Sequence, residues 1–418
     1  MKNVVCIVFI LICQVVSAQD MTRVKRIVDT LCSPTFAGRG ASGSGDVKAS
    51  EFLVNEIKFR GGEPFQDTSY RYPFTYVINT FEGKVELKVQ NRLLVPGVDY
   101  IVNSKSGGGS GKGKIVYADS LWFVEGNSSL KIGDLKKKVL VLNAKQFRAI
   151  RKEISVLNHC LSEASCWVVL TKGKLTMGLA SEAMDIPVFE LREDAWDFKT
   201  KKIEWTVENS LRIHNAYNVA AKIEGRKTTD SCIVFTAHYD HLGKMGDKVY
   251  FPGANDNASG VSMLLELLSY FKEHPLDIDV VFIFFAGEEA GLKGSMDWVQ
   301  SQSATLSNIK CLVNLDLVGT GDDGIMVVNG KEYPAIVKLL EEINNREELL
   351  PAIKTRGSAA NSDHYSFYIK GVKSVFIYTL GGVAAYHDVA DISSTLPYTK
   401  YKELFTLLLK FAEKQTTE

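Results

Sequence analysis

Four apolar runs in the second half of the chain each stop at a histidine or a carboxylate, and this shared ending constrains the fold more than any other feature. The run Cys232 to Ala237 gives way to His238, Asp240 and His241. The run Asp279 to Ala286, DVVFIFFA, stops at Gly287, Glu288 and Glu289. KCLVNLDLV, Lys310 to Val318, carries Asp316 near its end, and Ser374 to Leu380 leads through a glycine pair to Tyr386, His387 and Asp388. Runs this short and this apolar read as strands covered on both faces, as parallel sheets require. After the first run, Val261, Leu264, Leu265, Leu268 and Phe271 recur at helical spacing until Pro275 stops them. Further helices read over 292–300, 334–345 and 398–413. Strands alternating with helices predict an α/β fold, a mixed and largely parallel sheet flanked by helices. Such a sheet gathers the carboxyl ends of its strands along one edge. The four endings are therefore expected to meet.

Those endings have the chemistry of metal ligands. Zinc takes His nitrogen and Asp or Glu oxygen, and a carboxylate-rich set with two histidines suits two zinc ions about 3.5–4 Å apart. Asp256, set between Asn255 and Asn257 in the loop before Gly260, adds a further carboxylate. Taken alone, the Glu288-Glu289 pair reads more simply as a solvated strand end. His159, His214 and His274 lie away from the four endings and read as surface or helix-end residues.

The blocks HYDHLG, PGANDNASG, FAGEEAGLKGS, NLDLVG, SDHYSFY and YHDVAD resemble, in order and spacing, the co-catalytic zinc peptidases of the M28 aminopeptidase family. The likeness is dense from about Asn215 to Pro397. It is weaker over residues 19–80, where FAGRG and the helix after it resemble the family's opening segment. The resemblance implies a zinc-dependent exopeptidase fold and an aminopeptidase acting on peptides with two Zn2+ per chain. His238 and Asp316 would hold one ion, Glu289 and His387 the other, and Asp256 would bridge them. Glu288 would be the general base, Tyr386 would steady the oxyanion, and Asp240 would orient His238 through its second ring nitrogen. His241 and His364 fall at non-ligand positions, and Asp363 would brace the cluster through hydrogen bonds. The Asp256–Asn257 bond would be cis. Two rivals share the scaffold: glutaminyl cyclases, which keep one zinc, and binding proteins that have lost the chemistry.

The rest of the chain sets bounds. Lysine plus arginine and aspartate plus glutamate number 49 each, so no overall field favours nucleic acid or an anionic membrane. Lys2, the apolar stretch Val4 to Val16 and the small residues Ser17 and Ala18 read as a signal peptide over 1–18, implying export. Apolar residues continuing past Cys13 argue against a lipid anchor there. No stretch reaches the roughly 18 apolar residues that cross a bilayer. Removing the leader leaves five cysteines, among which Cys160 and Cys166 form the one close pair.

Gly38, Gly40 and Gly43 fit GxGxxG, but no strand precedes them, which excludes a dinucleotide site. Residues 21–62 read instead as two helices around a glycine-rich turn. Residues 81–212 change character, with short β patterns at 84–89, 114–118, 138–142, 165–170 and 186–189 and a helix at 146–161. In order and size they resemble the protease-associated insert of such peptidases, a separate β-rich module with few apolar links to the zinc domain at 213–418. The run GGGSGKGK from Gly107 lacks the helix a phosphate loop needs and reads as a flexible surface loop.

Overall fold

The computed structural model describes residues 19–66, 68–119, 135–150 and 163–416. The signal peptide expected at 1–18, His159, Cys160 and the later part of the helix expected at 146–161 lie outside them. Elements of the larger sheet and its helices are numbered here in chain order.

The larger sheet has nine strands among the described residues. They are β1 (Glu63–Pro64), β2 (Arg71–Thr80), β3 (Ser210–Ile223), β4 (Cys232–His238), β5 (Asp279–Phe285), β6 (Ile309–Leu315), β7 (Ile325–Val328), β8 (Ile353–Thr355) and β9 (Ser374–Thr379). Their order is β1-β3-β5-β4-β6-β9-β7-β8, with β2 also paired to β3. The centre is parallel: β4 runs beside β5 and β6, and β6 beside β9. The flanks β3 and β7 are antiparallel to their neighbours in it.

The sheet is mixed, as expected from the sequence, but parallel chiefly at its centre: four of its eight pairings are antiparallel. All seven residues of β4 are buried, yet a period of two remains, because successive side chains leave opposite faces. Ile233, Phe235 and Ala237, with Val280, Phe282 and Phe284 of β5, enter one core. There they meet helices α1 (Met21–Leu31), α2 (Gly45–Phe59), α3 (Ser259–Glu273), α5 (Pro334–Glu347) and α7 (Tyr401–Gln415). Cys232 and Val234, with Val281, Ile283 and Phe285, enter the other. That face is closed by α4 (Lys293–Ser301) and α6 (His364–Tyr368) through Trp298, Val299 and Phe367. Covering both faces leaves the strand ends as the places where polar side chains can face a cavity.

Among the described residues, a second sheet of eight strands lies between β2 and β3 in the chain. Its centre, Gly109–Tyr117, Lys138–Asn143, Cys166–Thr171 and Val188–Arg192, is parallel. The sequence reading missed Tyr100–Val102 and Lys202–Val207. It also misread the glycine run: Gly109–Tyr117 is a strand, paired with Lys202–Val207. A Cβ at Gly111 would stand 2.8 Å from the Trp205 indole. The glycines give that ring its place, and a tryptophan so distant in sequence leaves no local signal.

The expected apolar independence of this region is also corrected. Leu242, Met245 and Phe251, from the loop after β4, are buried in the same core as Phe81, Tyr100, Val102 and Trp205. Asn79 ties the junction. Its backbone N–H donates to Ala180 O at 2.8 Å, its side-chain amide to Ser104 O and Ser106 O, and its Oδ1 accepts from Asn209. Cys32, Cys166, Cys232 and Cys311 are buried free thiols.

Candidate metal centre

The sheet brings the four endings together. His238 closes β4, Asp316 follows β6, Glu288 and Glu289 follow β5, and His387 lies in the loop after β9. Asp256 joins them from the turn before α3. Its loop is held by Asp391, which accepts the backbone N–H groups of Asn255 and Asp256 at 2.9 and 3.0 Å. Asn257 donates to Leu315 O at 2.9 Å. The Asp256–Asn257 peptide bond is cis, as the resemblance implies.

The distances divide the cluster in two. His238 Nε2 lies 3.3 Å from Asp256 Oδ1 and 3.3 Å from Asp316 Oδ1. His387 Nε2 lies 3.2 Å from Asp256 Oδ2 and 3.0 Å from Glu289 Oε2. Asp256 thus turns one oxygen to each group. In both, one ring nitrogen faces two carboxylate oxygens from different residues. A single N–H cannot point at both, and Asp316 Oδ1 is buried without a hydrogen-bond partner. Donor atoms of His238, Asp256 and Asp316 lie within 4.8 Å of one another, as ligands around a common centre do. The donor set, all imidazole and carboxylate, fits zinc.

His241 offers a second arrangement with Asp256 and Glu289. Its Nδ1 lies 2.7 Å from Glu289 Oε1 but 3.9 Å from Asp256 Oδ1. It bonds the oxygen that Glu289 turns away from His387, the position of a group that orients a ligand. Sequence reasoning set His241 aside; its place inside the HYDHLG block was the available signal.

Three other expectations change. His238 Nδ1 lies 3.1 Å from the backbone oxygen of Asp240 and 3.6 Å from its carboxylate. That carboxylate accepts the backbone N–H groups of Glu288 and Glu289 instead, at 3.3 and 3.4 Å. The brace on Asp316 is Ser362, whose hydroxyl donates at 3.1 Å, rather than Asp363. His214, read as a surface or helix-end residue, is buried and bonded to Asp46 at 2.5 Å.

One residue outside the cluster organises it. Arg39, fully buried, donates to five backbone carbonyls: Tyr239, Leu31, Pro252, Gly253 and Asp256, at 2.6–3.3 Å. Five N–H groups in a fixed fork can do this; an ammonium cannot. Arg39 therefore locks the Asp256 loop to the end of β4.

Electrostatics separate the adjacent glutamates in the metal-free protein. Burial pushes the Glu288 carboxyl well above its usual range; His238 opposes this, and Glu289, Asp363 and Asp316 add to it. For Glu289, burial and Asp256 oppose the charge, but the imidazoles of His387 and His241 outweigh them and hold it at about 2. Burial also disfavours a charged His387, yet Glu289 and Asp256 bring it to about 11. The carboxylates thus draw positive charge into the site. A cavity of about 200 Å³ opens onto Asp256, Glu288, Asp316, Asn361, Tyr386 and His387. Tyr386 stacks on His387 at 3.9 Å between ring centroids and is 45% exposed.

Known proteins resemble this chain over the segment that carries the site. The sequence profile of peptidase family M28 matches residues 218–412. The aminopeptidase YwaD of Bacillus subtilis is 32% identical over 149 residues, 35% of this chain and 31% of that protein. A probable zinc metalloprotease of Pyrenophora teres f. teres is 36% identical over 113 residues, 26% of this chain and 23% of the relative. The alignments therefore span less than a third of these relatives. The structure of BSAP, a zinc aminopeptidase from Bacillus subtilis, superposes with a TM-score of 0.72 at 17% identity, covering 95% of each chain, which shows a shared fold. The segment that carries every residue of the cluster, 218–412, is the one that matches peptidase family M28.

Proposed function

We propose that this protein is a two-zinc aminopeptidase that removes residues from the N-terminus of peptides. The observation that carries the reading is the division of Asp256, one oxygen toward His238 and Asp316, the other toward His387 and Glu289. These five residues would hold the metals. Zinc, when bound, polarises a carbonyl and acidifies water.

The chain's own groups supply the rest. Glu288 faces the cavity, and none of the short contacts that join the two groups involves it. Its raised affinity for a proton suits a general base that accepts one and returns it to the leaving amine. Burial, with Asp256 and Glu289 nearby, pushes the Tyr386 phenol above its usual range. It therefore stays protonated and able to donate to a developing oxyanion. The name of the YwaD relative supports action at the end of a peptide.

The test is a peptide-library digest followed by mass spectrometry, with zinc counted per chain. Stepwise loss of N-terminal residues with two zincs is expected. Internal cleavage, pyroglutamate formation with one zinc, or no turnover would each overturn the reading.

A further inference from the structure

We infer that the segment 174–179, in the connection after strand Cys166–Thr171 of the insert, positions His387, so that the insert is a working part of the metal centre. The inference rests on the two-metal reading above. Met177 and His387 are paired in both directions: Met177 N–H donates to His387 O at 3.0 Å, and His387 Nδ1 lies 3.0 Å from Met177 O. A carbonyl only accepts, so this contact places the ring hydrogen on Nδ1. Nε2, the nitrogen facing Glu289 and Asp256, is then left with a free lone pair whenever the ring is neutral. A second hydrogen bond of this kind fixes the tautomer and direction of a metal-binding histidine.

Three further observations make the segment a support rather than a passing loop. Lys174 Nζ lies 2.6 Å from Asp388 Oδ2 and donates to Ala384 O at 3.0 Å, gripping the loop on both sides of His387. His387 itself has φ 54°, a left-handed conformation that non-glycine residues keep only where the surroundings hold them. The segment is anchored at its far side, with Leu175 and Met177 buried in the insert's core and Leu179 packed against both cores. Ala180 O accepts from Asn79. His238 needs no such help, since its Nδ1 contact is to Asp240, two residues on.

Two variants test this. Lys174→Met removes the grip on Asp388 and Ala384, with Lys174→Arg as the conservative rescue. Met177→Pro deletes the N–H that bonds His387 O. Thermal melts check that each is folded. Nitrogen-15 histidine NMR of the metal-free protein follows the His387 Nδ1–H resonance, assigned by its loss in His387→Asn. Competition with a zinc chelator follows both metals.

The parent should show a slowly exchanging Nδ1–H. Lys174→Met and Met177→Pro should lose it and weaken one zinc about 10–100-fold, with arginine restoring most of the affinity. An unchanged resonance in both folded variants overturns the inference, as does equal weakening of the two zincs, which would mean general loosening. A parent that binds fewer than two zincs sinks the two-metal reading instead, and the NMR arm still decides the role of the segment.

Discussion

The two halves of the cluster are built differently. His238 and Asp316 end adjacent parallel strands, and their supports are close at hand. Thr236 donates to Asn314 at 2.7 Å, Asn314 to Ser362 at 2.8 Å, and Ser362 to Asp316 at 3.1 Å, all buried. Glu289 and His387 stand on loops and are steadied from a distance, by His241 and by Met177 of the insert. His238 is 1% exposed, whereas the His387 side chain is 15% exposed. A ligand on a strand end takes its position from sheet register. One on a loop takes it from contacts that must be assembled separately, and its half should hold metal less firmly.

Glu288 belongs to neither half, and the largest effect should show it. Glu288→Gln keeps shape but cannot accept a proton, so kcat should fall about 10²–10⁴-fold with both zincs retained. Glu289→Gln should lose the loop-borne zinc, and excess zinc should restore part of its activity, because a neutral amide is the poorer ligand. Metal stoichiometry beside kcat for both variants decides. If Glu288→Gln loses zinc while Glu289→Gln keeps two and stays active, the pair is reversed.

An intermediate effect joins the halves. Arg39→Met would leave five buried carbonyls without their donor and free the Asp256 loop that both halves share. Denaturation should show a loss of about 3 kcal/mol, and both zincs should weaken together. Arg39→Lys should recover only part, having one charge but not the fork. Weakening of one zinc alone would show that Asp256 is not shared.

The smallest effect probes the floor under the strand-borne half. Burial pushes the His364 imidazole down from 6.5 to about 3, with both ring nitrogens unbonded beneath Phe376. The unfolded chain takes up a proton below pH 6.5, and the folded protein does not until about pH 3. The stability His364 contributes is therefore present above 6.5 and lost as pH falls toward 3, by at most about 1.4 kcal/mol per pH unit. Denaturation midpoints at pH 7 and pH 5 should converge in His364→Phe. An equal acid sensitivity in the variant would place the titrating group elsewhere.

The same contrast explains what could be read from the sequence. The strand-borne residues were legible because apolar period and polar ending occupy one short window. The sheet followed from them, through β4, β5, β6 and β9. His387 stood at the end of the fourth run, but only the YHDVAD resemblance singled it out from Tyr386 and Asp388 as a ligand, since nothing local fixes where a loop histidine points. The support from Met177 was invisible, being a backbone contact 210 residues away. The glycine strand under Trp205 failed for the same reason: its partner lies far along the chain. Arg39 stood in a quoted block, yet a buried arginine whose partners are all carbonyls leaves no acidic residue to mark it.

The pairing of Thr80 with Ser210 has a consequence in time. These neighbours are 130 residues apart in sequence, so β2 leaves the ribosome on the order of ten seconds before its partner. For that interval a ten-residue strand has no mate, and an unmated strand is open to other chains. The residues made meanwhile are those of the insert, whose own sheet draws its two ends together. Once it has formed, closing β2 onto β3 is a hairpin's task rather than the closure of a long loop. Residues 81–209 thus bring the two strands of one edge within reach of each other, while the core they build is completed only by Leu242, Met245 and Phe251, made after β4.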